Sequence, residues 1–194
     1  VSGTGGSASI AIGNSALRNS GYIRNTAIGD RALMTADATA QQNTAIGYYA
    51  LKDLTSGDNK VAVGNQTLES TTTGSYNTVV GDLAGYNQST PSSNTLIGRY
   101  AGGLITTGSK NTLLGRFNGN QGGLDIRTSS NNIVLSDGDG NVRWRSDSNS
   151  DIFTGLFSST GATEGFYYQP QYGITYSSRS GTSTKNHRYF VNAN

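Results

Sequence analysis

The sequence predicts an all-β fold: a parallel β-solenoid, or β-roll, of about 17 residues per turn, followed by a small β-rich distal tip. Three observations support this prediction. A five-residue unit ending in glycine recurs at a nearly constant interval. The chain is only 34% apolar, and Gly, Ser, Thr and Asn supply 93 of its 194 residues. Ten of its 17 aromatic residues lie in the last 58 positions, which separates a shaft, residues 1–136, from a tip, residues 137–194.

The composition disfavours several classes of protein. Ordinary globular domains are about 45–50% apolar and about 25% charged, whereas this chain is 34% apolar and 13% charged. So polar a composition is typical of disorder, but the chain has only 2 prolines and its glycines are regularly spaced. A helical bundle needs Leu, Ala, Glu and Lys in quantity, and a conventional enzyme core needs more apolar residues. Both are therefore disfavoured.

Three further features restrict the chemistry and the partners. The chain has no cysteine, which excludes disulfides and thiolate chemistry. Its net charge of +2 is too small to indicate nucleic-acid binding. No apolar run approaches the roughly 18 residues that cross a membrane, so we expect no membrane insertion.

The internal repeat is the strongest signal in the sequence. Its glycines are spaced by 16, 18, 17, 17, 17 and 17 residues. A degenerate eighth copy, residues 132–136, follows at an offset of 21. The seven regular copies end at Gly13, Gly29, Gly47, Gly64, Gly81, Gly98 and Gly115.

Each unit predicts a short β-strand, because it is rich in β-branched residues and bounded by turn-forming residues. The rest of each period is polar and loop-like, as in residues 88–93. A period of about 17 residues is too short for a βαβ unit, which needs about 30. It suits one turn of a solenoid, and turns stacked about 4.8 Å apart would form a rod roughly 30 Å long.

Counting from each glycine defines columns that stack along the rod. The pre-glycine column, directly before the glycine, is always aliphatic, and we expect it to form a ladder buried inside the coil. The glycine column indicates either a positive φ or a close approach of stacked turns. The asparagine column, four residues before the glycine, is expected at a corner. There its side chains bond the local backbone or stack into an amide ladder.

Two further columns change together along the shaft. The mid-strand column, two residues before the glycine, is Ala in the first four units and then Val or Leu. The post-turn column, four residues after the glycine, is Leu in the same four units and then Gly. Close packing conserves the summed volume of a core. We therefore predict that the two columns face each other, within one chain or across a subunit contact; the alternative is independent drift.

The unit Asn-Thr-Ala-Ile-Gly-x-x-Ala-Leu at residues 25–33 resembles repeats in the heads of trimeric autotransporter adhesins. It is equally similar to repeats in the distal parts of bacteriophage tail fibres. In both families such repeats form left-handed parallel β-rolls that associate as homotrimers, so the resemblance implies a homotrimer here. The absence of a wide core in one chain agrees with this expectation. No heptad pattern of an adhesin stalk is present in the sequence.

Two C-terminal stretches favour the tail fibre. Residues 131–145 resemble a segment that joins the shaft of phage tail fibres and tailspikes to a distal region. Residues 186–194 resemble the stretch before an autocleaved intramolecular chaperone, which is itself absent from the sequence. The resemblance implies a virion protein at the distal end of a tail fibre, which attaches to bacterial surface polysaccharide or to an outer-membrane protein. The alternatives are a trimeric adhesin head that binds host cells or matrix, and a polysaccharide-degrading tailspike tip.

The tip contains the candidate receptor-binding residues. Tyrosine offers rigid amphipathic contact area on which sugars stack, and Arg or Lys can pair with the phosphate and carboxylate groups of lipopolysaccharide. Roughly half of the tip aromatics are expected in a core or a trimer interface. The alternation of Tyr172, Ile174 and Tyr176 predicts a strand with one buried face, and residues 178–185 predict an exposed loop. The candidate receptor-binding residues are Tyr167, Tyr168, Tyr172, Tyr176, Arg179, Lys185, His187 and Arg188.

Residues 137–141, Asp-Gly-Asp-Gly-Asn, resemble the start of a calcium loop. Val142 and Ser148, however, occupy positions where such a loop has Gly and Glu. A β-hairpin turn is the favoured interpretation, because Asp-Gly is a preferred turn pair. An axial ion shared by three such loops is the minor alternative.

Catalysis has little support in the sequence. A glycosidase needs two carboxylates, and none of the distal candidates has a distinctive setting. The single histidine, His187, is accompanied by no Gly-x-Ser-x-Gly elbow. We therefore expect a protein without catalytic residues, resident metal or cofactor. The distal carboxylates are Asp137, Asp139, Asp147, Asp151 and Glu164.

Overall fold

The computed structural model describes residues 8–19, 24–36 and 39–150, together with the strands at 152–154, 156–157, 163–169, 173–180 and 183–189. All regular elements in these ranges are β-strands, and none of the ranges contains a helix. Thirteen strands follow one another in one continuous sheet, a fourteenth pairs at its side, and two more form a separate sheet. The predicted all-β solenoid is therefore confirmed for the described residues.

The shaft is a parallel solenoid with seven regular turns, each of which contributes one strand of three residues. Neighbouring strands pair in register, so that Thr44 lies beside Val61 and Ala45 beside Ala62. This register follows from the nearly constant period, which returns each column to the same place. The strands are β1 (Ile10–Ile12), β2 (Thr26–Ile28), β3 (Thr44–Ile46), β4 (Val61–Val63), β5 (Thr78–Val80), β6 (Thr95–Ile97) and β7 (Thr112–Leu114).

The interior of the coil is filled by the mid-strand and post-turn columns. Ala45, Leu51 and Leu96 have no exposed surface. The expectation that the pre-glycine column is buried is wrong, because Ile97 and Leu114 are 40% and 51% exposed. Successive residues of a strand face opposite sides of the sheet. A buried mid-strand residue therefore places both of its neighbours outside the coil.

The predicted exchange of volume between two columns is confirmed within one chain. A Cβ built on Gly102 would lie 2.8 Å from Cδ1 of Leu96, and one on Gly85 would lie 3.5 Å from the same atom. The larger mid-strand residues thus occupy the space that the post-turn leucines fill in earlier turns. The post-turn position has a positive φ in both halves, +51° at Leu51 and +60° at Gly102.

The glycine column meets both of its sequence-based expectations. From Gly13 to Gly98 its φ values lie between +131° and +139°, a region that residues with a side chain rarely adopt. A Cβ on Gly81 would also overlap the backbone carbonyl of Gly98 in the next turn. Stacked turns therefore approach too closely at this column for any side chain.

The asparagine column is buried and links each turn to the next. Asn94 Nδ2 donates to the carbonyl of Gly108 at its corner, 2.8 Å away. Its Oδ1 accepts from the backbone N–H of Asn111 in the next turn, also at 2.8 Å. Asn77 makes the same two kinds of bond. The expected bond to the corner backbone is confirmed, whereas among the described residues of this column a bond between two amide side chains is found only from Asn132 to Asn111.

The degenerate eighth copy is a true turn of the solenoid. Strand β10 (Ile133–Ser136) pairs in parallel with β7, and Val134 lies beside Leu113. The longer spacing before it contains a two-stranded hairpin, β8 (Asn120–Gln121) and β9 (Leu124–Asp125). The insertion therefore leaves the sheet register unchanged.

After β10 the sheet becomes antiparallel. The strands that follow are β11 (Val142–Ser146), β12 (Ile152–Thr154), β13 (Leu156–Phe157), β14 (Thr163–Gln169), β15 (Gly173–Ser180) and β16 (Ser183–Tyr189). Strand β11 pairs with β10, and the sheet continues as a meander in the order β12, β14, β15 and β16, with β13 beside β14. The predicted strand around Ile174 and Tyr176 is confirmed.

The expectation of an exposed loop over residues 178–185 is wrong. Strand β15 runs to Ser180 and β16 begins at Ser183, so strand pairing continues almost to the end of the hairpin. Ser178 pairs with Lys185, and Ser180 pairs with Ser183. Arg179 pairs with Thr184, so the described residues of this segment form the paired arms of a hairpin.

Candidate binding surfaces

The register divides the predicted receptor-binding residues between two faces of the tip sheet. Paired residues share a face, and successive residues of one strand alternate. Tyr176 pairs with His187, and Tyr168 pairs with Ile174. The first face therefore has positions Tyr168, Tyr176, Lys185 and His187, and the second has Tyr167, Arg179 and Arg188. Tyr172 lies outside the described residues.

The two faces of the tip continue the two faces of the shaft sheet. Leu135 pairs with Leu114 of the pre-glycine column on one side and with Trp144 on the other. Trp144 pairs with Thr154 of β12. Ile152, two residues away on the same strand and therefore on the same face, pairs with Tyr168 of β14. The first face of the tip thus continues the outer face of the solenoid, and the second continues the face that lines its interior. The sequence did not show this division, because strand register depends on pairings between distant segments.

The turn between β10 and β11 is built around Asp137. Its Oδ1 accepts from the backbone N–H of Asp139 at 3.0 Å and of Asn141 at 2.9 Å. Its Oδ2 accepts from Nη2 of Arg143 at 2.6 Å. Hydrogen bonds from Arg143 and then from Asn141 hold the pKa of Asp137 well below its usual range. The hairpin interpretation is confirmed, and the turn's own donors occupy the carboxylate oxygens.

The other candidate carboxylates of the tip are not brought together as a catalytic pair among the described residues. Asp147 accepts from Arg145 Nη2 at 3.0 Å, and the two side chains are largely buried. Asp139 is exposed in the hairpin turn. Asp151 and the side chain of Glu164 lie outside the described part of the chain. In that part, no three His, Cys, Asp or Glu residues are grouped as metal ligands would be.

An apolar surface on the outside of the shaft was missed by the sequence analysis. We name it the outer stripe; it comprises the outward residues of β1 to β7 and β10. Contiguous exposed apolar surface of this kind marks an interaction site more often than scattered apolar residues do. The available signal was the Thr that begins five of the seven regular strands, because it shares a face with the pre-glycine residue. The most exposed members are Ile10, Ile12, Ile46, Val61, Val80, Ile97, Leu114, Ile133 and Leu135.

A pair of tyrosines forms a second surface feature that the sequence analysis missed. The rings of Tyr48 and Tyr49 are stacked, with centroids 3.9 Å apart and planes at 12°. Tyr48 directly follows the glycine of its unit, a position that Asn, Asp or Arg occupies in the other regular units. That departure from a polar column was the signal available in the sequence.

Lys60 is a buried cation in the asparagine column. Its side chain has no exposed surface, and among the described residues its Nζ has no hydrogen-bond partner. Burial lowers the pKa of Lys60 to about 8, while the negative charge of Asp58 acts in the opposite direction. An ammonium group also has no lone pair, so Lys60 cannot accept a bond from the next turn as asparagine does.

Within the described residues there is no helix of the length and apolar character needed to cross a bilayer. Comparisons of the chain with protein-family models, curated proteins and solved structures found no match. The residues and their geometry are therefore the basis for assigning a function.

Proposed function

We propose that the protein is the trimeric, non-catalytic distal tip of a phage tail fibre and that it attaches the virion to the surface of a bacterial host. The observation that supports this best is the change within one sheet from a parallel solenoid to an antiparallel meander. The meander lies in the segment that contains most of the aromatic residues. A stiff polar rod that ends in aromatic strands suits a protein that holds a binding surface away from a larger particle.

The outer stripe supports the trimeric part of the proposal. Its members recur once per turn, so a partner that covers the whole stripe needs the same rise of about 4.8 Å per strand. A parallel copy of the same rod meets this requirement in every turn. Three copies around one axis remove all three stripes from water, and the number three is taken from the resemblance to trimeric β-rolls.

Light scattering tests the assembly directly. The expected mass is three times the 20.3 kDa of one chain, and a single-chain mass for the wild-type protein would contradict the proposal. Ile97→Asp places a charge in the stripe without disturbing the coil interior, and it should yield monomers. The matched control is Tyr76→Asn, because Tyr76 is 64% exposed and lies outside the strands that form the stripe. Asn59 occupies the same column with a similar positive φ.

Host attachment is tested by competition. Purified protein should block phage adsorption to a susceptible strain, and deletion of either O-antigen or one outer-membrane protein from that strain should abolish cell binding. Failure of the trimer to bind or protect any strain of a broad bacterial panel would contradict attachment. Binding to extracellular-matrix proteins instead of bacteria would favour the trimeric adhesin head.

Paired substitutions identify which face of the tip makes the contact. Tyr176→Ser with His187→Ser changes the first face, and Arg179→Ser with Arg188→Ser changes the second. In the proposed trimer the outer stripe lies towards the axis, and the first face of the tip continues the stripe. The substitutions at Arg179 and Arg188 should therefore weaken the ability of the protein to block phage adsorption more than those at Tyr176 and His187. Thr184→Ser is the control within the same hairpin.

The environment of the tip carboxylates supports a non-catalytic role. A glycosidase acid must hold a proton near neutral pH, whereas Arg143 and the hairpin amides stabilise the ionised form of Asp137. Incubation with host polysaccharide should therefore release no new reducing ends. Release of oligosaccharide would favour the tailspike alternative.

A further inference from the structure

The exposed face of Tyr48 lies in the shaft, far along the chain from the tip. The side chain is 45% exposed, although its ring is stacked on Tyr49. One flat aromatic face is therefore open to solvent while the other is covered.

The covered side of this pair is held in place by a network of charged groups. Nη1 of Arg31 donates to the hydroxyl of Tyr49, and its Cζ lies 5.3 Å from the centre of the Tyr49 ring. Nζ of Lys52 lies 4.8 Å from the same centre. Lys52 is bonded in turn to Glu69 at 2.5 Å, and Glu69 accepts from Gln66 at 2.7 Å. The orientation of the exposed ring is thus set before any ligand arrives.

The post-glycine column places a carboxylate beside the ring. Asp30 occupies the position of Tyr48 in the preceding turn, and its carbonyl accepts from the backbone N–H of Tyr49 at 3.0 Å. Its Oδ1 is buried, and no hydrogen bond to it is made by any described residue. A buried carboxylate oxygen without a donor is costly and is normally satisfied by a partner.

The solenoid itself does not require an aromatic residue at this position. The equivalent residues of the neighbouring turns are Asp30 and Asn65, and further along are Asp82 and Arg99. The backbone of the coil is the same in all these turns. The tyrosine at position 48 is therefore not required by the coil.

We propose that Tyr48 and Asp30 form a second, shaft-located binding site for a neutral pyranose sugar. The apolar C–H face of the sugar would lie on the open Tyr48 ring, which offers rigid amphipathic contact area. Adjacent hydroxyls would donate to the exposed part of the half-buried Asp30 carboxylate, an acceptor-only group whose hydrogen bonds are strengthened by its charge. The carboxylates of Asp30, Asp53 and Glu69 outnumber the cations of Arg31 and Lys52, so the site favours neutral over acidic sugars. Its prior organisation lowers the cost of binding.

The test is saturation-transfer NMR and titration of the intact protein with methyl glycosides of glucose, galactose, mannose and N-acetylglucosamine. At least one glycoside should bind, with transfer strongest at its C–H face. Tyr48→Asn, which introduces the residue found at Asn65, should weaken that binding by about tenfold or more. Asp30→Asn should weaken it several-fold while leaving the stacking signal, since it keeps the size of the side chain.

Two controls make the result decisive. Tyr76→Asn removes another exposed tyrosine of the shaft and should leave glycoside affinity unchanged. The substitutions at Tyr176 and His187 in the tip should also leave it unchanged, which separates this site from the proposed host-attachment surface. The inference fails if no glycoside binds, or if Tyr48→Asn retains wild-type affinity. It also fails if Tyr48→Asn alters the oligomeric mass, because the tyrosine pair would then be a subunit contact.

Discussion

The first four turns of the shaft and the turns that follow build the same backbone from opposite choices of side chain. In the first half an alanine such as Ala45 faces a leucine such as Leu51, and both are fully buried. In the second half Leu96 faces Gly102, whose missing side chain leaves the space that Leu96 fills. What is conserved between the halves is the summed volume of the two columns, as dense packing requires.

Other columns do not change between the halves. From Gly13 to Gly98 the glycine column keeps its φ between +131° and +139°, because backbone of the next turn lies where a side chain would be. The asparagine column keeps its two hydrogen bonds in both halves wherever the residue is Asn. Lys60 occupies the same column and is the exception. Lys60 lies in the last turn of the first half, where the packing pattern is about to change. Positions that bond or approach backbone thus tolerate less variation than positions that only fill volume.

The largest expected effect on stability comes from single substitutions that introduce a first-half residue into the second half. Leu96→Ala should destabilise the protein by about 4 kcal/mol, because the removed side chain leaves a cavity beside a glycine that cannot fill it. Gly102→Leu alone should also be destabilising, because its Cβ would lie 2.8 Å from Cδ1 of Leu96. The double variant restores the pairing of the first half and should recover most of the loss. Guanidinium unfolding at one fixed protein concentration measures all three.

The double-mutant cycle decides whether the columns are coupled. A strong favourable coupling between the two substitutions is expected, since they share one space. If the double variant loses as much stability as the two single variants combined, the volume exchange is drift and the comparison of the halves loses its physical basis.

The next largest effect concerns Lys60 at the boundary between the halves. Its pKa of about 8 in the folded chain is lower than the 10.5 of an exposed lysine, so above pH 8 the unfolded chain binds more protons. The destabilisation is therefore complete below pH 8 and diminishes as pH rises towards 10.5. Lys60→Asn should stabilise the protein by about 3 kcal/mol at pH 7, and the advantage should shrink at pH 10.

Lys110→Asn is the matched control, because Lys110 is exposed on the shaft. It should change stability little at either pH. Tyrosine ionisation affects wild type and variants alike, so the difference between them reports the lysine alone. An advantage of Lys60→Asn that grows from pH 7 to pH 10 would contradict the buried-cation interpretation.

A smaller and equal effect is expected for the asparagine column in the two halves. Asn43→Ala and Asn94→Ala each remove one bond to a corner carbonyl and one to the next turn's backbone N–H. Each should destabilise the protein by about 2 kcal/mol, because buried backbone groups lose their partners. Thermal and guanidinium unfolding measure the loss of stability in the two variants. Asn65→Ala, at an exposed position, is the control. Unequal losses would show that the halves differ in more than packing volume.

Much of the shaft could be predicted from the sequence because its signals are local and repeated. The spacing of the glycines located every strand from β1 to β7, and the exchange between the Leu51 and Gly102 positions predicted a packing contact. The side of the strand that is buried was not predicted, because one face carries mixed signals. Five of the seven regular strands begin with Thr, whose hydroxyl shares a face with the aliphatic pre-glycine residue, so the apolar residues alone indicated the wrong side.

The tip was less predictable for a different physical reason. Its strands are joined by pairings whose register the local sequence does not specify. The segment around Arg179 and Lys185 has the Gly, Ser and Thr content of a loop, yet it forms the arms of a hairpin. Candidate residues chosen by type alone were consequently divided between two faces.

The sequence by itself determined the all-β class, the period, the turn at which the packing pattern changes and the glycines where stacked backbones meet. These depend on the order of residues along one short segment, repeated. The tertiary structure alone decided which column faces the interior, that the pre-glycine residues form an exposed stripe, and that Tyr48 lies beside Asp30. Those outcomes depend on how one turn is placed on the next, since a narrow coil has room for the mid-strand and post-turn columns and excludes the residues on either side.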